Sequence, residues 1–396
     1  MKHRLLMIVS LSLALLLVLV ACGTEPVAEA PTDEPTVEMP MEEPPMEEPP
    51  MEEPPMEEPP MEEPPMEQPP VEEPITDLPG VGVTVNAGRA SWDTGWFQAA
   101  LFSEMLTELG YQVESPATLD NPVFYLSAAR GDLDFWPNGW FPLHNTYIED
   151  ENVRDNVELV GFEVRAGALQ GYLIDKRSAE EFGITNLEDF RDPDIAAAFD
   201  STGDGRADLV GCNPGWGCEL VIEHHLDAFD LRDSINHVQG EYSVLMADTV
   251  ARFQRGEPIL FYTWTPNWTI AQLPVDEDVV WIGVPFSSLP EEQGGDEVDT
   301  TAEGVAGCVA DPCVMGFPPN DIRVVANTDF LENNPAARRL FELVEIPLAD
   351  IAAQNELMIV DGEDSDADIQ RHAQEWMDTN RDLVDEWLAE ARTVAN

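Results

Sequence analysis

Gly211-Cys-Asn-Pro-Gly-Trp-Gly-Cys218 sets one indole inside a turn with a cysteine near each end. Its glycines and proline mark tight backbone, and a glycine-rich turn offers amide N–H groups to an anion such as a carboxylate. Two distant stretches, Trp140-Phe-Pro-Leu-His144 and Tyr262-Thr-Trp-Thr-Pro266, also place a tryptophan beside turn-forming or polar residues. Trp140, Trp216 and Trp264 together suit a cation with no N–H to donate, because an indole face attracts charge without a hydrogen bond. A ligand with a quaternary ammonium at one end and a carboxylate at the other satisfies both features. Betaines are that class.

These motifs resemble those of the substrate-binding proteins of glycine betaine/proline betaine ABC importers. The resemblance spans residues 77–394 and is densest in Gly171-Tyr-Leu-Ile-Asp-Lys176, Gly203-Asp-Gly-Arg-Ala-Asp208, the Cys212–Cys218 turn and Tyr262–Pro266. It implies an aromatic box of Trp140, Trp216 and Trp264, with the carboxylate held by His144 and the backbone N–H groups of Gly217 and Cys218. Phe141 departs from the family pattern, which has a small polar residue there, and is expected to reshape the pocket rim. The implied fold is α/β and bilobed, a periplasmic-binding-protein fold of type II-like architecture with the ligand cleft between lobes. Lobe 1 is expected at 77–177 and 325–396 and lobe 2 at 178–324, with crossings near Lys176–Ser178 and Val324–Ala326. The implied partners are a permease with its ATPase. A receptor for another quaternary amine, choline or carnitine, is the nearest alternative.

The residues of the body support layered α/β structure independently. Val81–Val85 is a short β-branched run, and Trp96–Leu109 carries helical apolar spacing that stops at Gly110. Tyr111–Val113 reads as a strand and Phe124–Arg130 as a helix ending at Gly131. Pro258–Trp264 and Val279–Val284 read as buried strands, and Ala336–Val344 and Asp366–Ala391 as helices. Such alternation predicts strands covered by helices.

At the other end, Lys2, His3 and Arg4 precede an apolar run from Leu5 to Ala21 that meets Cys22. This is the pattern of an export signal over residues 1–21. Leu19-Val-Ala-Cys22 resembles the bacterial lipoprotein cleavage box, so Cys22 is expected to carry lipid and anchor the chain outside the cytoplasm, in the periplasm or on the outer face. A retained spanning helix is the competing reading, disfavoured because acidic residues follow the run. Residues 22–76 read as a tether in which Met-Glu-Glu-Pro-Pro recurs from Met41, the last copy carrying Gln68. Proline blocks helices and the glutamates repel, so an extended, solvated spacer rising about 3.1 Å per residue is expected.

Charge separates this chain from an ordinary secreted domain. It holds 78 acidic and 19 basic residues; the tether takes eighteen of the acids and the leader two of the bases. The body keeps 60 acids against 17 bases, a net of −43, with Lys176 its single lysine. Such a balance opposes nucleic-acid binding and fits a saline exterior, where the screening length falls to about 3 Å near 1 M salt. The melting temperature should therefore be higher in molar salt than at 50 mM. A flat or falling series of melting curves at constant pH would reject saline adaptation.

With Cys22 assigned to lipid, Cys212/Cys218 and Cys308/Cys313 remain as two close pairs, expected as disulfides in an exported chain. A four-cysteine zinc site is the alternative, though the spacings lack the usual two-residue knuckle. The second pair is no part of the family pattern. Trp281, Trp376 and Trp387 fall in core-like patterns, whereas Trp92, Trp96, Trp136 and Trp268 stand near enough to the motifs to line a cleft. Asp200–Asp208 resembles the start of a calcium loop, but Gly211 stands where a bidentate glutamate is needed, so a tight turn is expected. His224-His225 are adjacent on a predicted helix and cannot share a face for one metal. No metal or cofactor is implied. No nucleophile elbow, zinc-protease helix or phosphate loop is present. An extracytoplasmic hydrolase built on scattered acids and His144 is the rival from another class, and a purely structural surface lipoprotein a third.

Overall fold

The computed structural model describes residues 78–359 and 361–394. The expected export signal, the Cys22 lipid site and the tether lie outside the described residues. All described residues belong to one unit, Val71–Asn396.

Its centre is a seven-stranded sheet of β1 (Phe135–Phe141), β2 (Val157–Asp175), β3 (Ala207–Val210), β4 (Ile235–Val238), β5 (Leu260–Thr265), β6 (Val279–Ile282) and β7 (Asn320–Asn327). The strand order is β1-β7-β2-β5-β3-β4, with β6 also on β2. The helices that bear on the site and its frame are α1 (Trp96–Glu108), α2 (Asn121–Arg130), α3 (Gly217–Ala228), α4 (Tyr242–Gln254), α5 (Asp366–Thr379) and α6 (Arg381–Thr393). Strands β3, β4 and β5 pair in parallel, and α3 and α4 are the crossovers that parallel pairing requires.

Strand β2 joins the two halves. From Val157 to Ala168 it pairs antiparallel with β7, and from Leu169 to Ile174 with β5, while Tyr172–Asp175 also pair with β6. Its partner therefore changes between Ala168 and Leu169, upstream of the crossing expected at Lys176–Ser178. The return strand begins at Asn320, opposite Ala168, upstream of the expected Val324–Ala326. Ala166, beside this change, has φ +45° and its N–H donates to Asp321 Oδ1 at 2.7 Å. A non-glycine residue in the left-handed region is strained, and the Asp321 carboxylate offsets part of that cost.

The periodic segments form where expected, with local differences at their ends. Trp96–Glu108 stops before Gly110, which has φ +92°, and α2 caps on left-handed Gly131. Helix α2 starts earlier than Phe124 because Pro122 fits the first turn, where its missing N–H costs nothing. Of Val81–Val85 only Thr84–Val85 is strand. The single helix expected over Asp366–Ala391 is two, α5 and α6, broken at Asn380. The Asn380 side chain donates to the Trp376 carbonyl at 2.9 Å, the local bond by which asparagine competes with a helix backbone. Across the break Trp376 and Trp387 stack at 6.4 Å.

Both cysteine pairs are disulfides, Cys212–Cys218 and Cys308–Cys313, which leaves no thiolates for the zinc alternative. In the Asp200–Asp208 loop, the Asp200 carboxylate accepts from the N–H groups of Thr202, Gly203 and Gly205. Asp208 accepts from Ser201. The loop is thus closed by its own backbone, as a tight turn. His225 is buried between the Tyr172 hydroxyl at 2.7 Å and the Ser288 carbonyl at 3.0 Å, while His224 turns to the Ser288 hydroxyl.

Candidate functional site

One cavity brings Trp140, His144, Trp216, Gly217, Cys218 and Trp264 together, joined by Trp92, Asn121, Leu143, Gln170 and Tyr262. Strands, the starts of helices and the turns around Trp92 and Leu143–His144 all contribute to it.

On β1 the pairing with β7 shifts register between Trp136 and Gly139, and beyond that shift the Trp140 Nε1–H donates to Asn138 Oδ1 at 3.0 Å. The chain then turns so that His144 N–H reaches the Trp140 carbonyl at 2.7 Å. In return the Trp140 N–H donates to His144 Nδ1 at 3.1 Å. That bond fixes the tautomer: Nδ1 accepts, so the neutral ring carries its proton on Nε2. The Asn121 amide lies 2.9 Å from Nε2. Its oxygen must therefore face the ring, which also gives a partner to the otherwise unpaired Asn121 Oδ1. His144 is 1% exposed, and burial pulls its pKa down from the ordinary histidine range to about 3. It meets a ligand as a neutral ring whose one N–H is held by Asn121 and is passed to a ligand only by exchanging that partner.

From the opposite end, β5 places Tyr262 and Trp264 on one face, and Gln170 of β2 lies directly across from Trp264. The Tyr262 hydroxyl donates to Gln170 Oε1. Gln170 Nε2 and Trp264 Nε1 have no acceptor among the described residues. Trp216 is the residue before the first turn of α3, so Gly217 and Cys218 supply the first two helical N–H groups. Such groups have no intrahelical acceptor and sit at the positive end of the helix dipole. The Cys212–Cys218 disulfide ties this helix start to the end of β3, and Asn213 Oδ1 accepts from the Tyr242 N–H at 2.9 Å. The wall is consequently rich in unpaired donors, the complement of an anion.

The indoles of Trp216 and Trp264 meet edge to face with centroids 6.0 Å apart, and Tyr242 backs Trp264 at 4.6 Å. Trp216 also reaches across the cavity: its Nε1–H is shared between Ser91 Oγ at 2.9 Å and Asp120 Oδ1 at 3.3 Å. Two more bonds span the same gap. Tyr147 donates to the Gly215 carbonyl at 2.9 Å, and Ser243 donates to Asp93 at 3.1 Å. Burial raises the Asp93 pKa above its ordinary value despite the Ser243 bond.

Of the four tryptophans that stand near enough to the motifs to line a cleft, Trp92 does so and the other three do not. Trp136 packs against Phe124 at 4.6 Å behind the wall. Trp96 lies under the Arg89 guanidinium at 4.3 Å, in a separate groove. Trp268 is buried without reaching the cavity. Phe141 does not form the rim either; β-strand alternation turns it away, and it packs edge-on behind His144 at 6.0 Å. Asn121, Asn138, Gln170 and Tyr262 are the residues that motif reading passed over.

The two buried histidines carry a pH consequence. His225, like His144, is held down to about 3 by burial. A histidine whose folded pKa lies below its unfolded value binds fewer protons in the native state, so stability falls as pH drops from about 6.5 toward 3, by up to about 1.4 kcal/mol per pH unit for each ring. NMR should show neither ring titrating between pH 7.5 and 5. A midpoint near 6 for either would contradict the buried neutral assignment.

Comparison with known proteins gives a consistent picture. Residues 83–379 match the family model described as the substrate-binding domain of the ABC-type glycine betaine transport system. The glycine betaine-binding periplasmic protein OusX of Dickeya dadantii (strain 3937) is 45% identical over 81% of this chain and 93% of its own length. The glycine betaine/proline betaine-binding periplasmic protein of Escherichia coli (strain K12) is 44% identical over 80% of this chain and 92% of its own. The glycine/betaine/L-proline-binding protein of Borrelia burgdorferi shares the fold, with TM-score 0.60 at 16% identity over 79% of this chain and 100% of that one. The two-lobed periplasmic-binding fold, the cavity between the sheet halves and the matched residues together place this chain in the family of substrate-binding domains of ABC-type glycine betaine transport systems.

Proposed function

We propose that this chain is the extracytoplasmic receptor of an ABC importer and captures glycine betaine or proline betaine without altering it. The observation that carries the reading is that Trp140, His144, Trp216, Gly217, Cys218 and Trp264, from three separate motifs, line a single cavity. The indoles of Trp140, Trp216 and Trp264 form the end suited to the trimethylated or ring ammonium. The N–H groups of Gly217 and Cys218, with His144 Nε2–H once it exchanges Asn121 for a ligand oxygen, form the end suited to the carboxylate. Desolvated cation–π contacts contribute on the order of 2 kcal/mol each and hydrogen bonds to a charged group about 1.5–3 each. After ordering and closure costs, roughly 8 kcal/mol is left, which is micromolar binding.

The lobes in this reading are 78–168 with 320–394, and 169–319, hinged where β2 changes partner. Ligand completes the closed state because Trp216 contacts both lobes. Cys22 carries the lipid, the tether spaces the body from the membrane, and a permease with its ATPase receives the closed receptor. The names of the 44–45% identical relatives support the same ligand class.

The test is calorimetry of the full chain with glycine betaine, proline betaine, choline, carnitine and glycine. Both betaines should bind at micromolar concentration and be recovered unchanged. His144→Ala should weaken glycine betaine more than choline, which has no carboxylate to accept from the ring. Choline binding tighter than glycine betaine would remove the carboxylate half of the reading, and chemical turnover of any ligand would remove the receptor itself.

A further inference from the structure

The cavity wall holds a fourth indole, Trp92, wedged between the rings assigned to opposite ends of the ligand. Its centroid lies 5.1 Å from that of Trp216 and 6.0 Å from that of His144. Trp92 is 7% exposed and is backed by Trp136 at 5.4 Å. Its Nε1–H donates to Asn138 Oδ1 at 2.9 Å, and the same oxygen accepts from Trp140 Nε1 at 3.0 Å. One amide oxygen, through its two lone pairs, thus fixes two wall indoles. Neither ring can swing aside without stranding a buried N–H.

We propose that Trp92, clamped by Asn138, sets the length of spacer that the site accepts between ammonium and carboxylate. The inference rests on the proposed function, in which Trp216 belongs to the ammonium end and His144 to the carboxylate end. Trp92 stands at their junction. The one-carbon spacer of glycine betaine lets both ends engage beside the fixed ring. Each added methylene pushes the middle of the ligand against an indole that is packed from behind and tied at its N–H, and close-packed walls resist such insertion. Trp140 shares the clamp, so the ammonium box and the length gauge are built as one unit. This distinguishes Trp92 from the three box indoles: its removal should change which ligand is preferred as well as how tightly any ligand binds.

The test measures dissociation constants of the full chain for glycine betaine and for the trimethylammonium carboxylates with two- and three-carbon spacers. One methylene in a shaped pocket is worth about 10–200-fold in discrimination. In Trp92→Leu the ratio of the three-carbon to the one-carbon dissociation constant should fall by at least about tenfold. Asn138→Leu, which frees Trp92 and Trp140 together without deleting either ring, should move the ratio in the same direction by less; the loss at Trp140 acts on the common trimethylammonium end and cancels in the ratio. The ratio is insensitive to a loss of active protein, since both ligands sample the same folded fraction. Should Trp92→Leu fail to fold, Trp92→Phe decides, with a smaller shift of the same sign. A ratio that stays within about twofold of the wild-type value in the folded variant overturns the gauge while leaving the betaine reading intact. Wild-type protein that binds none of the three ligands overturns the betaine reading itself, and the gauge with it.

Discussion

Replacement of Trp140, Trp216 or Trp264 by alanine should weaken glycine betaine binding by about 10- to 30-fold each, the equivalent of one desolvated cation–π contact. Trp216→Ala should be the largest of the three. Its indole N–H also bonds Ser91 and Asp120 across the cavity, so its loss removes a contact that holds the closed form. Trp216→Phe separates the two contributions, since it keeps an aromatic face and lacks the N–H. Stepwise demethylation of the ligand should act from the other side. Each lost methyl exposes an N–H that loses water and gains only an aromatic face. Glycine should bind at least about 100-fold more weakly than glycine betaine, from roughly 1–3 kcal/mol per unpaired donor. Calorimetry on the variant and ligand series reads both effects. Equal affinity for glycine and glycine betaine, or indifference to all three tryptophan changes, would sink the aromatic-box mechanism.

Gly217→Ala should lower glycine betaine affinity by about tenfold or more while leaving the unliganded melting temperature almost unchanged. An added Cβ at this position would lie 2.7 Å from Leu143 Cγ and 3.1 Å from the Leu143 carbonyl oxygen. Leu143 comes from the β1 side of the cavity and Gly217 from α3, so the clash forms only when the two sides meet. Overpacking of this kind costs roughly 1–3 kcal/mol. Within its own helix the change is benign, because alanine is the better helix former and Gly217 has no left-handed φ to preserve. Affinity and stability should therefore part company. Parallel losses in both would mean that Gly217 acts through the fold of α3 and not through closure.

The elements that the sequence announced were those whose pattern is local. Trp96–Glu108 shows its helical spacing and ends at a glycine, and the α2 stop at Gly131 is equally plain. The break at Asn380 was hidden because Asp366–Ala391 keeps helical periodicity on both sides of it. Its cause is one side-chain bond to the Trp376 carbonyl. Strand β2 was hidden for a different reason. It serves two sets of neighbours in succession, so its burial follows no single alternation.

Trp140, Trp216, Trp264, His144 and the Gly217–Cys218 segment, singled out through the family resemblance of three compact motifs, all line the one cavity. Strands deliver Trp140 and Trp264, and the start of α3 delivers Trp216, Gly217 and Cys218. The sequence by itself also determined the cysteine pairs, which lie close along the chain, and the acidic balance of the body, which is a sum over residues. Only the tertiary structure decided which of the surrounding tryptophans reach the cavity, where the sheet halves exchange partners, and that Asn138 ties Trp92 to Trp140. Those outcomes depend on side chains from segments remote in sequence meeting at a few ångströms. One amide oxygen choosing two indoles, 46 residues apart in one case and two in the other, leaves no periodic trace in the chain that encodes it.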